Sequence, residues 1–327
     1  MTTRTAVTAY FLGGTIGMAG HDGGVVSRLG GAELVAAVPQ LAELDVALDV
    51  VDFRRLPSAC LTFADVAELA AAAGEAPADG VVVVQGTDTI EETAYLLDLI
   101  WPHGSPVVVT GAMRNPTLAG PDGPANLLAA TAVAASPRFR GMGALVVLDD
   151  EVHAARYVRK THSTAVAAFG SPDAGPVGVL VEGEPVALTG VARRTVHRPS
   201  GPLDARVPVL TVTLEEHPDT VRALATGCDG LVVAGFGVGH VPDRLAEPLE
   251  EVARRVPVVL ASRTGAGPVL SRTYGFAGSE SDLRSRGLIG AGLLDPYKAR
   301  VLLRVALACG YDAQAVAAAF SEASGLA

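Results

Sequence analysis

The sequence predicts an α/β protein: a larger N-terminal domain built on a parallel sheet, followed by a smaller C-terminal α/β domain. Three observations carry this. Apolar runs of strand length recur at residues 7–12, 80–84, 106–110 and 144–148, as expected of strands buried on both faces. Segments of helical pattern alternate with them. The chain is also rich in turn formers, with 37 glycines and 21 prolines in 327 residues, and it is long enough for two domains.

Taken in order, strand one at 7–12 runs into a glycine-rich loop, 17–31, and a short helix near 32–38. Residues 45–53 are the second strand. Thr62 with Asp65 three residues on reads as a capping box opening a helix through Ala73. After the third strand at 80–84, Thr89 with Glu92 reads as a second capping box, its helix ending near Ile100. Strand four spans 106–110, a helix 124–135 and strand five 144–148; two apolar runs around Glu182-Gly183-Glu184 predict a hairpin over 177–188. Residues 193–208 then carry charges, Pro199, Gly201, Pro202 and Pro208, with no periodicity. That change predicts a first domain over 1–192, a linker over 193–208 and a second domain over 209–327. Beyond it strands are expected at 209–214, 231–234 and 256–261, and helices at 218–225, 245–254, 296–308 and 313–321. No repeat of solenoid spacing interrupts the pattern.

A formal charge of −10 argues against nucleic acid and anionic membrane as partners. No segment reaches the ~18 uninterrupted apolar residues of a membrane helix. The first ten residues lack the apolar region and cleavage site of a signal peptide. The three cysteines, Cys60, Cys228 and Cys309, are scattered and odd in number, as suits free thiols of a reducing compartment. A cytoplasmic protein is expected.

Candidate chemistry sits at two strand ends, Gly13-Gly14-Thr15-Ile16-Gly17 and Gln85-Gly86-Thr87-Asp88-Thr89. In an open α/β sheet the crevice beyond the carboxyl ends of the strands receives small ligands. Thr15, Thr87 and Asp88 could therefore face one pocket, and hydroxyls beside a carboxylate are raw material for acyl transfer. Thr15 could equally serve only the loop that Gly13 and Gly14 permit. With Thr89 assigned to helix capping, Thr87 and Asp88 have no structural duty, and a carboxylate there could take an ammonium group from a ligand. A third cluster, 152–161, holds His153, Arg156, Arg159 and Lys160. It reads either as a solvated face or as the source of a lysine that, with Thr87 and Asp88, forms a proton relay. Two other signals fail. Gly235-Phe236-Gly237-Val238-Gly239 resembles a dinucleotide loop, but the last glycine of that fingerprint falls on His240. The seven histidines show no metal-ligand spacing.

Several stretches carry a family resemblance: L-G-G-T-I-G at 12–17, A-V-P-Q-L at 37–41 and Q-G-T-D-T-I-E-E-T-A at 85–94. They continue with T-G-A-M-R at 110–114, D-G-P-A-N-L at 122–127 and V-H-A-A-R-Y-V-R-K-T at 152–161. G-F-G-V-G-H at 235–240 and D-P-Y-K-A-R-V-L-L at 295–303 complete the set. Together they resemble the bacterial-type L-asparaginases, which include the glutaminase-asparaginases, over nearly the whole chain.

The resemblance implies an amidohydrolase that splits the side-chain amide of asparagine into aspartate and ammonia through an acyl-enzyme. Thr15 would be the nucleophile, with Thr87 and Lys160 moving the proton and activating water. Asp88 would hold the substrate's α-ammonium and Ser58 its α-carboxylate, within an implied substrate-binding set of Ser58, Ala59, Gly86, Thr87, Asp88 and Glu280. Glu280 matches a glutamate that reaches the site from a neighbouring subunit of a homo-oligomer, dimer or tetramer. No metal or organic cofactor is implied. The sequence departs from the family at Leu12, where a threonine often precedes the G-G-T, and at four further points. The loop 17–31 lacks the tyrosine that hydrogen-bonds the nucleophile; Ala59 and Cys60 replace a common glutamine and an acidic residue; Gln85 replaces a histidine, a swap read as benign; and His240 replaces an asparagine that orients the glutamate. Ala59 and His240 keep open a relative acting on glutamine, a D-isomer or a larger amide. The missing tyrosine keeps open a non-catalytic amino-acid binder.

Overall fold

The structure is a computed structural model that describes residues 4–19, 26–27, 29–76, 78–192 and 195–325. It divides into two compact units, Met1–Val196 and His197–Ala327. In the first unit β1 (Thr5–Phe11), α1 (Gly31–Ala36), β2 (Val46–Asp52), α2 (Phe63–Glu75), β3 (Gly80–Val84) and α3 (Ile90–Ile100) follow in turn. They are succeeded by β4 (Val107–Thr110), α4 (Gly123–Ala135), β5 (Ala144–Leu148), β6 (Glu151–Ala154), β7 (Gly178–Val181) and β8 (Glu184–Ala187).

One eight-stranded sheet organises this unit, in the order β8-β7-β6-β5-β4-β3-β1-β2. The five strands from β5 to β2 are parallel, as expected, but β6, β7 and β8 join antiparallel, so the sheet is mixed. The Gly-Val-Val-Val-Val run of β3 is buried throughout, because both faces of the sheet are covered. Val82, Val84, Val108, Leu145 and Val147 share one face with Leu127, Ala130, Val133 and Ala134 of α4. Alternation gives the intervening valines to the other face, where α3 packs on β4 and β5. Each fully buried valine contributes about 1.5–3 kcal/mol relative to exposure. The expected hairpin is present, and its turn residues Glu182 and Gly183 take φ of 52° and 82°, the left-handed pair a tight hairpin requires.

Register places the site. Phe11 stands opposite both Asp52 and Val84, so β1, β2 and β3 end level with one another. The turns leaving them, at Gly13-Gly14, Pro57-Ser58 and Gly86, therefore emerge side by side.

The second unit holds a four-stranded parallel sheet, β9 (Val209–Thr211), β10 (Leu231–Gly235), β11 (Val258–Ser262) and β12 (Ile289–Gly290), in that order. Helices α5 (Pro218–Ala225), α6 (Ala246–Ala253), α7 (Glu280–Ser285), α8 (Pro296–Ala308) and α9 (Ala313–Ala323) accompany it. The proline-rich interval is tied to α8 over residues 200–207. Ser200 N–H donates to the Ala308 carbonyl at 3.0 Å, Arg300 Nε to the Val207 carbonyl at 2.9 Å, and the Arg304 guanidinium to the Leu203 carbonyl.

Candidate active site

Three glycines let the strand-end turns meet. Gly13 and Gly14 take φ of 101° and 98°, a region side chains disfavour. A Cβ on Gly14 would lie 2.1 Å from the Gly86 amide nitrogen, and one on Gly86 would lie 2.7 Å from Ser58 Oγ. Leu12 N–H donates to the Val84 carbonyl and Leu56 N–H to the Leu12 carbonyl, each at 2.9 Å. Thr15 then opens a single helical turn, Thr15–Gly17, half-buried beside this junction. Within the glycine-rich loop, Gly20, Gly23, Gly24 and Val25 lie outside the described residues.

Thr87, Asp88 and Lys160 come together. Lys160 follows the antiparallel strand β6, and a two-residue ladder with Phe169 fixes its backbone. Its N–H donates to Glu91 Oε2 at 3.4 Å, and its Nζ donates to Thr87 Oγ1 at 2.8 Å and to Asp88 Oδ1 at 3.1 Å. The Lys160 side chain is 16% exposed and that of Asp88 67%. Water screens the Lys160–Asp88 pair, which adds little to stability, whereas the Lys160–Thr87 contact lies on the buried side. There an ammonium favours negative charge on the hydroxyl oxygen, and the Asp88 carboxylate remains largely open to solvent.

Ser58 is buried in the turn Ser58–Cys60, and its Oγ accepts the Asp88 N–H at 3.2 Å. Ala59 and Cys60 are exposed on the same turn. Among the described residues the Ser58 hydroxyl has no acceptor for its own proton, which leaves that proton for a ligand anion.

Thr89 corrects an expectation. It precedes α3 at the N-cap position, but its side chain makes no cap hydrogen bond. Instead Thr89 Oγ1 donates to the Ser58 carbonyl at 3.1 Å and accepts from Gln85 Nε2 at 3.2 Å. The pull of the neighbouring turn outweighs capping. By contrast Thr62 and Asp65 form the reciprocal box expected of them.

Other supports were not visible beforehand. Gly111 packs against the Gln85 carbonyl, 2.4 Å from where its Cβ would stand. Its own carbonyl accepts from Asn126 Nδ2 at 2.9 Å, and Asp122 takes the Met113 and Arg114 N–H groups at 2.9 and 2.8 Å. The i, i+4 spacing of Asp122 and Asn126 at the start of α4 was the available signal, since both side chains face the same loop. Among the described residues no tyrosine hydroxyl hydrogen-bonds Thr15. Tyr10 is buried edge-to-face on Phe53, and burial raises its phenol above the usual range.

Glu280 belongs to the second unit. It is fully buried at the start of α7, with Oε1 accepting the Thr273 and Tyr274 N–H groups at 2.8 Å each. His240 Nε2 stands 3.2 Å from Oε2, and Tyr274 and Phe276 pack edge-on against the His240 ring. Burial works to raise this carboxyl, but the backbone donors of Tyr274 and Thr273, with His240, outweigh it and hold it below the usual carboxylate range.

Comparison with known proteins identifies the family of the chain. Residues 6–193 match the family described as Asparaginase, N-terminal, and residues 206–320 that described as Glutaminase/Asparaginase C-terminal domain. The chain is 39% identical over 247 residues to a probable L-asparaginase of Deinococcus radiodurans, covering 75% of this chain and 76% of that one. It is 35% identical over 281 residues to an L-asparaginase of Bacillus licheniformis, covering 83% and 87%. The crystal structure of the probable cytoplasmic L-asparaginase from Campylobacter jejuni superposes with a TM-score of 0.85 at 32% identity, covering 97% of this chain and 99% of that one.

Proposed function

The chain belongs to the asparaginase family, and on that premise we propose that it hydrolyses L-asparagine to L-aspartate and ammonia with Thr15 as nucleophile. The observation that carries the reading is Lys160 Nζ joining Thr87 Oγ1 and Asp88 Oδ1 beside the Thr15 turn. Thr15 Oγ attacks the side-chain amide carbon. The tetrahedral intermediate expels ammonia, taking up the proton the hydroxyl loses, and leaves an ester on Thr15. Water then passes a proton through Thr87 to Lys160 as its amine and attacks the ester carbon; the relay returns that proton to Thr15 Oγ as the ester C–O bond breaks and aspartate leaves.

The substrate's amino-acid head lies over Ser58, Ala59, Gly86, Thr87 and Asp88, with the Ser58 proton on its carboxylate and Asp88 on its ammonium. No step calls for a metal or organic cofactor. Glu280 of a second copy completes the site, so the working protein is a homo-oligomer, dimer or tetramer, acting in the cytoplasm. His240 beside Glu280 and the short side chain of Ala59 favour a second reading, in which glutamine or another amide is turned over in preference.

Ammonia release by the purified protein from L-asparagine, L-glutamine and D-asparagine separates these. Thr15→Ala and Thr87→Val are expected to lose several orders of magnitude in turnover while staying folded. Wild-type-like release by either variant overturns the assignment.

A further inference from the structure

We propose that Gln85 is a positioning residue that holds the two walls of the amino-acid head pocket in register through Thr89; this rests on the function proposed above. Gln85 follows β3 and is fully buried. Its main chain is fixed on the sheet, where its N–H donates to the Thr110 carbonyl at 3.0 Å. From that anchor Nε2 donates to the Gly86 carbonyl at 3.3 Å and to Thr89 Oγ1 at 3.2 Å. Thr89 Oγ1 passes its own proton to the Ser58 carbonyl at 3.1 Å, and Ser58 Oγ accepts the Asp88 N–H at 3.2 Å. One amide nitrogen is thus tied to both segments that supply Ser58, Gly86 and Asp88.

The orientation of the amide follows from its neighbours. Thr89 spends its proton on Ser58, so it offers only a lone pair to Gln85, and Gly86 offers a carbonyl oxygen. Turning the amide over would set three oxygens against one another. Oε1 in turn is buried with no hydrogen-bond partner among the described residues. A buried acceptor left unpaired is costly, and an apolar side chain of equal length would avoid that cost. The two donated bonds are what glutamine adds at this position. A residue acting on the head pocket, and not on the reacting amide, alters substrate and transition-state binding alike, so its loss appears in KM.

The test is the kcat and KM of Gln85→Met, Thr89→Val and the double variant with L-asparagine, beside Tm. Each single variant is expected to raise KM by roughly tenfold to a hundredfold with kcat within about threefold of wild type. The double variant is expected to be no worse than the poorer single, because both remove one path. Gln85→His, which keeps a ring donor, is expected to recover part of the KM loss. A fall in kcat and Tm at unchanged KM would mark Gln85 as structural support only, and additive KM effects would break the relay through Thr89. If Gln85→Met does not fold, the KM of Thr89→Val alone decides: unchanged, it overturns the proposal. A wild-type protein without turnover refutes the proposed function, whereas an active wild type with indifferent variants refutes only this inference.

Discussion

Gly14 and Gly86 meet backbone to backbone: a Cβ on Gly14 would stand 2.1 Å from the Gly86 amide nitrogen. The contact joins the turn that carries Thr15 to the turn that carries Thr87 and Asp88. It is possible because Phe11 and Val84, the last residues of β1 and β3, are paired in the sheet.

Gly14→Ala therefore meets two penalties, a left-handed φ of 98° and a collision with main chain that has no room to retreat. We expect a loss of at least ~2 kcal/mol in stability and near-complete loss of ammonia release. Gly104→Ala, where a Cβ would meet nothing within 4 Å, should be close to neutral. Equal melting temperatures for the two variants would show that the junction is not tight.

Assembly is the second prediction. Glu280 holds the 273–274 backbone as well as facing His240, so Glu280→Gln, which keeps an acceptor for those N–H groups, is the variant least disruptive to the fold. Glu280→Gln and Thr15→Ala proteins should each be nearly inactive alone. If a site is shared between subunits of a symmetric assembly, refolding them together in equal amounts should make about a quarter of the sites intact. Recovery of activity on mixing checks this; a fully active monomer by light scattering contradicts it.

The third prediction concerns acid stability. Burial lowers His153 below the usual imidazole range, with Glu151 opposing the shift. Burial likewise lowers His197, which lies 3.1 Å from the Tyr311 hydroxyl, with Glu322 opposing. The unfolded chain takes up protons on these rings at a higher pH than the folded one. Their contribution is therefore intact above pH ~6.5 and is lost as pH falls toward their folded values. Thermal melts from pH 7.5 to 5 should show a declining Tm, and His153→Asn/His197→Asn should decline less. A steeper decline in the double variant would reverse the sign.

These features differ in how readable they were. The parallel strands were legible because valine runs buried on both faces have no other comfortable placement. Strand β6 was not: Val152-His153-Ala154 includes a buried histidine held by Ser171, and the neighbouring arginines gave the segment a cationic look. The hydroxyl–acid spacing misled in both directions. Thr62-x-x-Asp65 is a cap. Thr89-x-x-Glu92 is not, since a tertiary partner claimed the hydroxyl. Ser279-x-x-Asp282 is one that went unread, with Ser279 Oγ accepting the Asp282 N–H at the start of α7. Of the candidate site residues, Thr15, Thr87 and Asp88 could be located by their strand-end position and Lys160 by its charged cluster, whereas Ser58 and Glu280 rested on the family resemblance alone, and the role proposed for Gln85 depends on what faces it across the turn.

The central claim is that proton transfer runs through Lys160 and Thr87 without a tyrosine at Thr15. Steady-state ammonia release from L-asparagine by Lys160→Met and Tyr10→Phe tests it most directly. Loss of the lysine should lower kcat by ~10²–10⁴-fold, while Tyr10→Phe, whose ring packs on Phe53, should stay within about tenfold of wild type. Turnover by Lys160→Met within tenfold of wild type, or collapse of turnover in a folded Tyr10→Phe, would contradict the account.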